Sequence, residues 1–207
     1  NPTNSQAYEF LELKNTGPDP LNLAGLYFDK GITYHFPATN LASGAFYVIV
    51  ASNAPFQSRY PGVTNQGVFE AGVLKDAGEQ LTILNGALET ILDVDYKDGW
   101  FKVTDGFGYS LVPADLSIDP NLDAAWRAST YTNGSPGADD PPWPYGSIVV
   151  NEVLSHQDVD NPGDWIELYN AGTNNVNIGG WYLSDDDNEL KKYRIPSGTI
   201  LTNKKHI

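Results

Sequence analysis

Residues 8–28 read YEFLELKNTGPDPLNLAGLYF, and residues 163–183 read GDWIELYNAGTNNVNIGGWYL. The two stretches align without a gap at an offset of 155, the difference between positions 167 and 12. Seven pairs are identical: Glu12/Glu167, Leu13/Leu168, Asn15/Asn170, Gly17/Gly172, Asn22/Asn177, Gly25/Gly180 and Tyr27/Tyr182. Others exchange like for like, as in Phe10/Trp165 and Leu21/Val176. A period this long implies tandem copies of a whole domain, not a solenoid of short units. Such copies favour a modular binding or structural protein over an enzyme.

Working outward, the chain reads as all-β. Residues 10–13 and 165–168 are short β-prone runs, each closed by Asn-x-Gly turn chemistry. Residues 46–50 (FYVIV) have the unbroken apolar character of a strand buried on both faces. Residues 80–84 precede Asn85-Gly86, a strong hairpin signal, with Leu88 and residues 90–94 as the returning strand. Residues 109–112 and 148–153 complete the set. Helix is expected only at residues 55–60, stopped by Pro61, and as a turn near residues 121–126. Many short strands with regular turn signals favour a β-sandwich. Residues 133–145 hold four prolines and two glycines, a composition suited to a semi-rigid linker. The expected organisation is a first domain over residues 1–138, a linker over 139–146 and the first half of a second domain over 147–207.

The repeat also implies gaps. The strand at 148–153 precedes the aligned block, and its counterpart in the first copy falls before residue 1. The second copy matches through Ile207, aligned with Val48 at an offset of 159, and stops inside a strand. The chain starts at Asn1, which suggests a piece of a longer product. A sandwich short of a strand exposes unpaired backbone groups. Strand exchange between copies or between chains is the expected remedy.

Composition narrows the function. The net charge is −14 and the sequence pI near 4.3, which disfavours nucleic acid. Cysteine is absent, which removes thiol catalysis and Cys-based metal sites. No apolar run is long enough to span a bilayer. No HExxH, GxSxG or phosphate loop occurs, and His35, His156 and His206 stand alone in sequence. No residue is therefore assigned a catalytic, cofactor or metal role.

Three acidic stretches are weighed for calcium. Asp93, Asp95 and Asp98-Gly99 depart from EF-hand spacing. Asp158, Asp160, Asn161 and Asp164 form a better candidate loop, and Asp185–Asp187 with Glu189 form another. The simpler reading of each is a solvated loop. Glu12 and Glu167, repeated at one place, read as fold-stabilising carboxylates. Trp100, Trp126, Trp165 and Trp181 occupy strand or strand-end positions; Trp143 with Tyr145 reads as a docking or packing pair in the linker.

The motifs in order resemble the lamin tail domain family, an immunoglobulin-like β-sandwich. The second copy carries Val150-Asn151-Glu152, Trp165-Ile166-Glu167-Leu168, Asn170-Ala171-Gly172 and the segment 176–183. The first copy adds Phe36-Pro37, Ser43-Gly44, residues 46–50, residues 105–111, residues 126–130 (WRAST) and Gly134-Ser135-Pro136-Gly137. By family position Trp100, Trp126, Trp165 and Trp181 are mostly core. Leu26 stands where the family usually has Trp, and residues 56–74 are a long insert similar to bacterial exported copies. The resemblance implies a non-catalytic binding, adhesive or spacing module of a larger secreted or cell-surface bacterial protein, with a protein or glycan ligand. The alternative is a carbohydrate-binding accessory module of a secreted enzyme.

Overall fold

The structure is a computed structural model that describes residues 5–143, 146–155 and 163–207. The chain divides into two compact units, Asn1–Pro141 and Pro142–Ile207. The architecture is all-β with one short α-helix.

In the first unit the strands run β1 (Phe10–Lys14), β2 (Leu21–Asn22), β3 (Tyr27–Lys30), β4 (Ile32–His35), β5 (Asn40–Leu41) and β6 (Phe46–Val50). Helix α1 (Asn53–Arg59) follows, then β7 (Gly67–Val68), β8 (Ala71–Gly72), β9 (Gly78–Leu84), β10 (Thr90–Lys97), β11 (Leu111–Pro113) and β12 (Trp126–Ala128). Two main sheets form, in the orders β1-β6-β7 and β10-β9-β3-β4-β8. Between them lies a core of Leu23, Phe28, Ile32, Tyr34, Phe36, Leu41, Tyr47, Ile49, Phe69 and Ile83, with Leu11 and Leu13 packed against it. This is an immunoglobulin-like two-layer sandwich.

Strand β6 explains its own sequence. Alternate residues of a strand face opposite sides. Tyr47 and Ile49 enter the central core, while Val48 and Val50 pack on Phe56 of α1. Both faces are covered, so every second position need not be polar. Helix α1 exists chiefly to supply that cover. Phe56 is fully buried, and the helix ends at Tyr60 just before Pro61.

The β9–β10 hairpin forms, but not as a two-residue Asn-Gly turn. Asn85 N–H donates to the Glu89 carbonyl, and the Asn85 side chain accepts from Ala87 and Glu89 N–H. Leu88 has φ 64° and therefore lies in the turn, not on the returning strand. The strand expected at 109–112 starts at Leu111. The sequence reading missed the β3–β4 hairpin, joined through Gly31 at φ 83°. A side chain there strains the backbone and meets Leu81 Cδ2 at 2.3 Å.

The second unit contains β13 (Ile148–Leu154), β14 (Trp165–Asn170), β15 (Val176–Asn177), β16 (Tyr182–Leu183), β17 (Tyr193–Arg194) and β18 (Ile200–Leu201). Strand β13 pairs antiparallel with β14, with a bulge between Val150 and Glu152. On the other side of β14, Leu168 and Ile207 exchange backbone bonds of 2.9 and 3.0 Å. The core is small: Leu168, Val176, Ile178, Ile195 and Leu201. Strand β13 is thus paired within its own unit.

The pairing also corrects the alignment at the end of the repeat. Leu21 faces Leu41, and Val176 faces Leu201. Gly44 and Lys204 both take positive φ, 73° and 56°. The offset there is 160 (201 − 41), and Ile207 corresponds to Tyr47, not Val48. The second copy thus carries five extra residues between the blocks (160 − 155), one more than the sequence alignment assigned.

Candidate functional site

Asn15 and Asn170 follow the paired runs and are fully buried. Asn15 Nδ2 donates to the carbonyls of Asp19 (2.8 Å) and Leu41 (2.9 Å), and its Oδ1 accepts from Gly17 N–H (3.0 Å). Asn170 repeats each bond, to Asn174 (2.8 Å), to Leu201 (3.0 Å) and from Gly172 (2.9 Å). One amide thus closes the turn and ties it to a strand far along the chain. The sequence showed the turn chemistry but not the burial.

The paired glutamates are used differently. Glu12 accepts a 2.5 Å hydrogen bond from Gly137 N–H. Burial, aided by the charge of Asp139, pushes its pKa up to about 7 against the pull of that N–H and of Lys14. Glu167 instead accepts from the Asn151 side-chain amide of β13. Nearby, Lys14 pairs with Asp139. Asp140 receives the Arg127 guanidinium (2.6 Å), Thr130 N–H (2.9 Å) and the Ser135 hydroxyl (2.8 Å). Burial opposes ionisation of Asp140, yet these donors together hold its carboxyl below the usual range. The segment read as linker therefore begins with residues fastened to the first unit.

Beside β1 lies a groove of ≈ 790 Å³ within the first unit. Its lining includes Leu11, Leu13, Leu81, Val94, Val112 and Trp126. Strands β1 and β11 both border it. Among the described residues each is paired on one side only, β1 with β6 and β11 with β12. Two buried polar atoms at its border, Glu9 Oε1 and Ser110 Oγ, have no hydrogen-bond partner among the described residues.

The acidic stretches are engaged locally. Asp93 accepts from Thr82 (2.6 Å) and Gln80 (2.8 Å) across the β9–β10 pair, and Asp95 pairs with Lys97 (2.6 Å). Asp185 pairs with Lys192 (2.6 Å), and Asp186 accepts from Asn188 N–H (2.9 Å). Of the loop 158–164, positions 158–162 lie outside the described residues, as do His156 and Tyr145. Among the described residues no group of three or more His, Cys, Asp or Glu side chains is placed to hold a metal ion. His35 Nδ1 lies 2.8 Å from Glu70, and His206 stacks on Tyr169.

The aromatic assignments need one correction. Trp100 and Trp126 stack at 6.5 Å and are half-buried. Trp165, read as core, is 42% exposed: it lies on the face of β14 away from Leu168 and Asn170, where its counterpart Phe10 is covered by Phe56 and Tyr60. Tyr182 and Tyr193 are also exposed. Tyr182 faces Arg194 and Tyr193 faces Leu183, so the two rings stand on opposite faces of their ribbon and form no common platform.

The fold is that of an immunoglobulin-like β-sandwich module. Residues 141–207 match the family model described as Lamin Tail Domain, a non-catalytic structural or interaction domain. A comparison with curated proteins finds no match.

Proposed function

We propose that both units are lamin-tail-like sandwiches in tandem, and that the chain is a non-catalytic binding or structural module of an exported bacterial protein. The observation that carries this reading is the Asn170 hydrogen-bond set, inside the segment that matches the family, reproduced bond for bond at Asn15. Recognition then rests on strand edges and loop surfaces, with a protein as ligand. The exposed Trp165 supports the second reading, a glycan ligand stacked on that ring. Affinity electrophoresis through gels cast with soluble bacterial and plant glycans separates the two. Unretarded migration is the expected outcome. Retardation that disappears in Trp165→Ala overturns the protein-ligand reading in favour of the glycan.

A further inference from the structure

Among the described residues the first unit has two open strand edges bordering one groove, and the second unit carries a strand of matching chemistry whose three valines are exposed. Ile148 of β13 packs against the core of the second unit. Val150 stands two residues on, on the same face as Ile148 and opposite the buried Leu168. Yet Val150 is 59% exposed, since no sheet of its own unit covers it among the described residues. Its partner β14 corresponds to β1 residue for residue through the repeat.

We propose that the groove between β1 and β11 is a strand-binding site, and that its occupant is β13 of a second copy of this chain. The register follows from the β13–β14 pairing shifted by 155. Val150 then lies opposite Leu13, Val149 opposite Lys14, and the bulged Asn151 beside Glu12. Asn151 thereby donates to Glu12 as it does to Glu167 in its own unit. The backbone bonds lost to β14 are replaced by bonds to β1. The gain is the cover that β13 lacks at home: Val150 moves from solvent into the space beside Leu13 and Leu81. The free edge of β11 supplies a second ladder, and the incoming backbone brings polar groups toward Ser110 Oγ. The inference rests on the equivalence of β1 and β14 and not on which ligand the module recognises. A glycan-binding result leaves it untouched.

The absence of cysteine permits a direct test. One chain carries Lys14→Cys and another Val149→Cys; the two are mixed under mild oxidation. Residues directly opposite in an antiparallel pair are close enough to cross-link after small adjustment. A mixed disulfide dimer is the expected product. Adding Val150→Asp to the second chain is expected to cut its yield by about tenfold or more, since a charge cannot enter the groove unpaired. Val150 is exposed in its own unit, so circular dichroism of that variant should match the parent. Absence of the mixed dimer, with both variants folded and both thiols titratable, overturns the proposal. So does a dimer that survives Val150→Asp. A synthetic peptide of residues 146–155 provides the second measurement. If it binds the chain while the two cysteine variants stay unlinked, the groove takes a strand from some other source, and the assignment to a second copy falls.

Discussion

At the scale of single residues, Asn15 and Asn170 organise their units more than any charged group does. Each fully buried amide bonds two carbonyls and one N–H. Removing it takes away three hydrogen bonds, one of them to a carbonyl in the buried interior. Asn15→Ala and Asn170→Ala should each cost about 2–4 kcal/mol, and Asn→Asp should be no better, because a carboxylate cannot donate to Leu41 or Leu201. Urea unfolding checks this; a loss below about 0.5 kcal/mol for either alanine variant would sink the argument. Glu12 makes a different prediction. Its folded pKa, about 7, lies above the ordinary 4.5. Between those values the folded state holds the proton more than the unfolded one does. Stability therefore falls as pH rises from about 4.5 to about 7 and stays lower above that. Glu12→Gln keeps an acceptor for Gly137 and removes the charge. It should stabilise the first unit at pH 8 by about 1–3 kcal/mol and flatten this part of the pH profile. An unchanged slope in the variant refutes the role of burial.

At the scale of elements, what was legible in the sequence depended on how local the cause was. Strand β6 was readable because five consecutive residues are apolar for a reason internal to the strand, burial on both faces. Helix α1 was readable as a short helix over residues 55–60 stopped by Pro61, and it spans Asn53–Arg59. The two-residue strands β2, β5, β15 and β18 were not readable, since each exists only through a partner some twenty residues away, as Leu21 does through Leu41. The same holds for the site. Asn15 looked like turn chemistry because its bond to Gly17 is local; its burial depends on Leu41, 26 residues on. Arg127 and Asp140 were quoted only inside a motif and a linker, and nothing in their spacing announced that one clasps the other. The β3–β4 hairpin carried a signal, Lys30-Gly31, that was left unread. The exposure of Trp165 is the converse case: its family position says core, but it lies on the outer face of β14, where its counterpart Phe10 has Phe56 and Tyr60 as cover and the described residues of the second unit include no such helix.

At the scale of the whole chain, the two units have unequal cores. The first packs ten buried residues between two sheets and a further cluster under α1. The second has five, within residues 142–207. A domain of roughly 60 residues buries only about 60% of its unfolded surface and is marginal for that reason. Much of the apolar surface of β13 and β14 stays exposed, at Val149, Val150, Val153, Trp165 and Ile166, so burial contributes less here than the sequence would allow. Heating a dilute solution should therefore give two transitions, with the second unit melting first. Near-ultraviolet circular dichroism assigns them. Replacing Trp165 and Trp181 by Phe should remove signal from the lower transition, and replacing Trp100 and Trp126 should remove it from the upper one. Raising protein concentration should move the upper transition upward if β13 of a neighbour docks on the first unit, because association stabilises whatever it binds. A single transition whose calorimetric and van't Hoff enthalpies agree for the whole chain would mean that the units fold as one, and the unequal-core argument would fail.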